Sequence, residues 1–287
     1  MLGKFGTRQK KNILDKFYTK PEISSMLVSS VMSRYDFGDF DCILEPSAGN
    51  GSFLKNLPLD KRLGLDISPD DDEIRKQDYF EWIPERNKKY LVIGNPPFGR
   101  VSSLAVKFFE KSAEFADVIA FLVPRTFRRI SVQNKLNMNF HLVEDVEVPI
   151  NPCAFEPAMN AKCCFQIWER SEIMRKPISL PTVTDRWEFL GLGEKDSNNQ
   201  PTPPSGADFA IRAYGCNCGK IVEEDLHTLR PKSWHWIRAE RHHELIKELS
   251  SLDYSVSKDT ARQDSLGRAE LIYLYNEKYR RKDKNEA

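Results

Sequence analysis

Residues 90–99 read YLVIGNPPFG. Tyr90 to Ile93 form an apolar run without alternation, the pattern of a strand covered on both faces. Gly94 is followed by Asn95 and two prolines, which cannot donate to a sheet ladder, so the strand must stop there. A second run of this kind, DVIAFLVP (117–124), also stops at a proline. Between the two, LAVKFFEKSAEF (104–115) carries its apolar residues at helical spacing. Two covered strands joined by an amphipathic helix imply an α/β fold with a mainly parallel sheet.

Working outward, DCILEP (41–46) and RLGLDI (62–67) read as two earlier strands. GSFLKNL (51–57) reads as the start of a helix between them. PEISSMLVSSVMSRY (21–35) is helical, with Pro21 suited to the first turn. FHLVEDVEVP (140–149) and KCCFQIWER (162–170) read as later strands. This doubly wound, Rossmann-like unit is expected over residues 1–192. GEKDSNNQPTPPSGADF (193–209) reads as a linker or long loop, and 210–287 as a small C-terminal extension. Within the extension, FAIRAYGCNCGKI suggests strand–turn–strand, SWHWIRAE a strand and RHHELIKELSSL a helix.

A chain of 287 residues, 40% hydrophobic, can bury one sizeable core or a main domain plus a small second one. A net charge of +1 neither requires nor excludes a nucleic-acid partner. The six cysteines form no CxxC pair, which suits reduced thiols in an intracellular protein. Cys216 and Cys218 would need distant histidines to hold a metal, and His242 and His243 suit a helix surface, so no metal is expected. The first twenty residues carry charge and no apolar core stretch, unlike a secretory signal. No apolar run reaches membrane-spanning length. A cytoplasmic protein is expected, with the basic start leaving a nuclear address open.

In doubly wound sheets, ligands bind where strand C-termini meet the following loops. After the first strand comes EPSAGNGSF (45–53), with Gly49 and Gly51 between strand and helix. A dinucleotide fingerprint would need glycine at 54, which is Leu54, and no P-loop Lys follows. Glu45 would repel a phosphate but suits a cationic ligand group. Asp66 ends the next strand, where an acid can accept both ribose hydroxyls. Asp78-Tyr79-Phe80 sets an acceptor beside two rings, which suits an adenine. After the fourth strand, Asn95 offers a side-chain oxygen, and Pro96 and Pro97 fix a carbonyl direction. Phe98 offers a flat face. Together these form a clamp for a planar amine, holding its lone pair toward an electrophile.

Here the sequence resembles the S-adenosylmethionine-dependent amino-group methyltransferases, in particular the adenine-N6 enzymes. Their [DNS]-P-P-[YFW] motif is matched by Asn95-Pro96-Pro97-Phe98, and their glycine motif by EPSAGNGSF. KFYTKPEI (16–23) resembles their leading motif, with Lys20 inserted between Thr19 and Pro21. The resemblance implies a class I methyltransferase fold with S-adenosylmethionine as cofactor. Phe17, Thr19, Glu45, Gly49, Gly51, Asp66, Asp78, Tyr79 and Asn95 would then line the cofactor pocket. Asn95, Pro96 and Phe98 would be catalytic, and Pro97, Phe98 and Phe155 would meet the target base. The leading motif, placed before the glycine motif, and the C-terminal extension favour adenine in DNA over RNA. Protein glutamine and a silent nucleic-acid-binding subunit are the remaining readings. Arg125 and Arg128, in PRTFRR (124–129), are candidate phosphate contacts. Lys232, Arg238, Arg241 and the basic tail are weaker ones. Trp234 and Trp236 share a strand face, which suits core better than a base platform.

Overall fold

The computed structural model of the chain describes residues 16–280. The readings placed on the first fifteen residues and on the end of the basic tail lie outside the described residues. In chain order, β1 (Tyr18–Thr19) leads into α1 (Pro21–Arg34), then β2 (Cys42–Glu45), β3 (Arg62–Asp66), β4 (Arg75–Lys76) and β5 (Tyr90–Gly94). Next come α2 (Ser103–Ser112), β6 (Val118–Pro124), α3 (Ile130–Gln133), β7 (Phe140–Glu147), β8 (Phe155–Glu156) and β9 (Cys163–Arg170). The last part contains β10 (Glu188–Leu190), β11 (Phe209–Arg212), β12 (Ile221–Val222), β13 (Trp234–Arg238), α4 (His242–Ser250) and α5 (Arg268–Tyr279).

Seven strands form one sheet in the order β4-β3-β2-β5-β6-β9-β7. The pairs from β4 through β6 are parallel, and β9 runs antiparallel between β6 and β7. The fold is therefore α/β and Rossmann-like, as the sequence implies. Every residue of β5 and β6 is buried, because the sheet is covered on both faces. One face packs Ile43, Leu91, Ile93 and Ala120 against Leu27, Val28 and Val31 of α1. The other packs Leu44, Val92, Ile119 and Phe121 against Ala105, Phe108 and Phe109 of α2. Each such apolar side chain contributes about 1.5–3 kcal/mol by leaving water, so a charge placed at Phe121 would break the layer.

The expected helix at 51–57 is only a short 3-10 turn, Leu54–Asn56. Gly51 has φ +78°, and Pro58 stands two residues after the turn ends, where it offers no N–H to extend the helical hydrogen bonds. The expected boundary near 192 also differs. β10 belongs to a second, four-stranded sheet in the order β10-β13-β11-β12. The 193–209 stretch is thus a loop inside the second unit, and the crossing between units runs through the strand-free residues after Arg170. Phe209, Ile211 and Ile237 pack one face of this sheet on Leu245, Leu249, Leu271 and Ile272 of α4 and α5. Trp234 and Trp236 pack the other face with Leu190 and Ala210, as core.

The second unit docks on the first at a defined place. The Lys162 N–H donates to the Ala261 carbonyl, and the Lys162 ammonium pairs with Asp264 at 2.5 Å. The Arg129 guanidinium donates to the Asp259 carbonyl at 2.7 Å and pairs with Glu270 at 3.3 Å. Arg129 follows β6 and Lys162 precedes antiparallel β9, so the docking lies at the end of the sheet where the parallel strands finish.

Candidate active site

β2 pairs with β3 on one side and β5 on the other, so the strand order reverses between β2 and β5. The crevice beyond the C-termini of these two strands is the topological switch point, where doubly wound sheets bind ligands. The glycine loop after β2 and the Asn-Pro-Pro-Phe loop after β5 flank it. Ser47 Oγ donates to the Asn95 carbonyl at 3.2 Å and ties the two loops together. The Asp66 carboxylate organises the first loop. It accepts from the N–H groups of Gly49 at 2.9 Å and Ser68 at 2.8 Å, one on each oxygen. Remaining lone pairs on both oxygens stay available to hydroxyl donors.

The leading segment lies across these loops. β1 pairs antiparallel with β8, setting Thr19 opposite Phe155. The Tyr18 ring covers Gly49: a Cβ there would sit 2.7 Å from Tyr18 Cε1, and Gly49 has φ +55°. The close approach that requires glycine at 49 is therefore made by the protein's own tyrosine. The Tyr18 hydroxyl bonds Asp70, whose carboxylate also pairs with Lys16 at 2.6 Å. Asn95 Nδ2 donates to the Phe17 carbonyl at 3.3 Å. This sets the amide so that Oδ1 is its outward acceptor. Pro96 is buried, Pro97 is exposed and Phe98 is half-buried. The rings of Phe98 and Phe155 meet edge to face at 6.4 Å, with Phe155 in the core below. Phe17, Thr19, Asn95, Phe98 and Phe155 thus converge on one place. Thr19 is 3% exposed, and its hydroxyl has no hydrogen-bond partner within the protein.

Three sequence expectations change. Glu45 is 2% exposed and lies beneath the loop, where it accepts from the Leu54 N–H at 2.8 Å. Burial raises its carboxyl well above the ordinary range, against the backbone hydrogen bonds of Leu54 and Phe53. It shapes the loop and also touches Gly94, where a Cβ would be 3.0 Å from Glu45 Cγ. Tyr79 is core: its ring stacks on Phe108 at 5.2 Å and its hydroxyl bonds Ser112 at 2.7 Å. The ring that faces solvent beside the exposed Asp78 is Phe80, 41% exposed. Arg125 and Arg128 are committed to carboxylates. Arg125 pairs with Glu147 at 2.5 Å, and Arg128 with Asp145 at 2.5 Å and Asp259 at 3.6 Å. Cations satisfied in this way have little left for phosphates.

Tyr18, Ser47 and Asp70 are site residues that the sequence reading did not single out, and of the two rings read beside Asp78 it assigned Tyr79, not Phe80, to the pocket. The sequence signal for Phe80 was its place next to Asp78; alternation would have put Tyr79 and Phe80 on opposite sides. Cys216 is exposed and Cys218 half-buried, and no group of three metal-ligating side chains occurs among the described residues. No helix among them is long and apolar enough to cross a membrane. A cavity of about 510 Å³ opens at the other end of the sheet, near Tyr35, Lys89, Asp117 and Glu169. It is remote from the strand C-termini, and the crevice with converging polar groups is the better candidate.

No family model matches the chain, and no curated protein matches it. Among solved structures, a Pyrococcus horikoshii protein provisionally assigned as an RNA methyltransferase aligns at 18% identity and TM-score 0.41, over 58% of this chain and 93% of its own. The 23S rRNA methyltransferase ErmE aligns at 12% identity and TM-score 0.42, over 55% and 71%. A Thermoplasma acidophilum protein aligns at 16% identity and TM-score 0.40, over 54% and 88%. At these values the similarities carry no weight for what this chain does, which has to be read from its own residues.

Proposed function

We propose that the chain is a methyltransferase that uses S-adenosylmethionine to methylate the exocyclic N6 amine of adenine in nucleic acid, with DNA ahead of RNA. The observation that carries this reading is the place of Asn95-Pro96-Pro97-Phe98. The motif opens on the switch-point crevice, bonded through Ser47 to the glycine loop and through Phe17 to the leading strand.

The residues around the crevice fit the cofactor. Asp66 presents carboxylate lone pairs to a ribose, Phe80 presents a ring beside Asp78 for an adenine, and the unpartnered Thr19 hydroxyl offers a buried polar contact. When bound, the cofactor supplies a methyl group on a positively charged sulfur. Asn95 Oδ1 and the Pro96 carbonyl accept the two N–H bonds of the target amine, so that its lone pair, otherwise shared with the ring, is directed outward. Phe98 gives the base a face to lie on, with Phe155 supporting that ring from below. The nitrogen becomes more acidic as it gains its substituent, so its proton leaves to water, and no strong base is required of the chain.

The second unit docks at the same end of the sheet as the crevice, against residues that follow β6 and precede β9. That position supports a role in holding the target nucleic acid. With Asn95→Ala, transfer should fall by about 10²–10³ while cofactor affinity stays near the parent value. With Asp66→Ala, cofactor affinity should fall. Equal loss of affinity in both variants would show that Asn95 serves the cofactor and that the clamp is misassigned.

A further inference from the structure

The loop that leaves the clamp is bent in an unusual way. Gly99 has φ +68°, and then two non-glycine residues, Val101 at +52° and Ser102 at +60°, are left-handed as well. A β-branched residue in that region is a rare outlier, stored strain of the kind that clusters at functional sites. Burial does not explain it, because Val101 is 77% exposed. Nor is the loop loose. The Phe98 carbonyl accepts from the Leu104 N–H at 3.2 Å and from the Ala105 N–H at 3.4 Å. Ser102 is buried, and its hydroxyl bonds the Thr126 hydroxyl at 2.5 Å just beyond β6. Gly99 cannot be replaced without a clash, since a Cβ would lie 2.8 Å from Leu104 Cβ. A tip anchored on both sides thus holds an apolar side chain out into solvent, three residues from Phe98. Arg100, beside it, is exposed and makes no ion pair among the described residues.

An apolar side chain held rigidly in water next to a cation has the chemistry of a wedge for stacked bases with a phosphate alongside. We propose that Val101 enters the gap left in a base-paired helix when the target base turns out into the Asn95–Phe98 clamp, with Arg100 against the neighbouring phosphate. This rests on the proposed function and adds to it: the acceptor is base-paired, and Val101 is a positioning residue for base extrusion. Extruding a paired base costs stacking and pairing energy, least where the base is already unpaired. The wedge therefore matters for a fully paired target and not for an open one.

The test uses Val101→Gly and Val101→Leu in the full-length protein. Glycine accepts the left-handed conformation, so the fold and thermal midpoint should be kept or improved. Transfer is measured on three oligonucleotide acceptors: a perfect duplex, the same duplex with an abasic site opposite the target, and the single strand. Val101→Gly should lose about tenfold in kcat/KM on the perfect duplex and less than about threefold on the other two, while Val101→Leu stays near the parent. With 2-aminopurine at the target position, the parent should raise fluorescence on the paired duplex and Val101→Gly should raise it less. Equal losses on all three acceptors, no loss on any, or a parent enzyme active only on the single strand would overturn the wedge and leave the methyltransferase standing. A parent that methylates none of the three and extrudes no 2-aminopurine would remove both.

Discussion

Tyr79 and Phe80 are neighbours with opposite roles, and substituting each separates the roles cleanly. Tyr79 is 2% exposed, and its hydroxyl bonds Ser112, whose own hydroxyl also donates to the Phe108 carbonyl. Tyr79→Phe removes one buried hydrogen bond but leaves Ser112 partnered, so the loss should be about 1 kcal/mol of stability. Phe80 is 41% exposed, touching Phe108 edge to face at 5.0 Å. Truncating it to alanine exposes little new core and should cost about 1 kcal/mol or less. If its ring carries the cofactor adenine, Phe80→Ala removes a stacking surface worth about 1–3 kcal/mol, which is roughly a five- to 150-fold loss of cofactor affinity. Urea unfolding reads the first quantity, and titration calorimetry with S-adenosylmethionine reads the second. Tyr79→Phe should shift the urea midpoint with affinity unchanged, whereas Phe80→Ala should lower affinity with a shift of the midpoint no larger than that of Tyr79→Phe. A Tyr79→Phe enzyme that binds cofactor as poorly as Phe80→Ala would refute the assignment of the exposed ring.

Two further outcomes are expected. Asn95→Asp keeps an acceptor for the target amine but loses the donor to the Phe17 carbonyl and sets two oxygens against each other; kcat should fall about tenfold, and full kcat would show that this bond does not position the clamp. In the second unit, burial pushes the His235 imidazole down to about 4, despite its hydrogen bond to the Leu266 carbonyl. The folded state therefore binds this proton more weakly than the unfolded chain does, so the stability is present above the ordinary value of 6.5 and is lost as pH falls from there to about 4. The loss should approach about 3 kcal/mol in urea unfolding across that window, and His235→Gln should flatten it; an unchanged slope would assign the acid sensitivity to other groups.

The central strands were legible because β5 and β6 are covered on both faces, which leaves a continuous apolar run in the sequence. The site loops were legible because prolines and glycines mark strand ends. What the sequence withheld depends on distance along the chain. Arg125 and Arg128 look like a free basic patch until Asp145, Glu147 and Asp259 arrive from β7 and the second unit. β10 has three residues and no pattern of its own; its pairing with β13 defines it. The role of Glu45 turned on the short turn at Leu54, whose N–H it satisfies, and the seven-residue stretch before Pro58 resembled a helix start. Gly49 was recognisable as a close-approach position, but the approaching group, Tyr18, lies 31 residues earlier and is brought there only by the pairing of β1 with β8.

The most direct test of the clamp's chemistry is to incubate the purified protein with tritiated S-adenosylmethionine and, separately, double-stranded DNA, single-stranded DNA and total RNA. Each acceptor is then digested to nucleosides and the labelled one identified. The proposed function predicts N6-methyladenine, with DNA labelled ahead of RNA. Label on any base other than adenine, or no label in any acceptor while the protein holds cofactor, would contradict it.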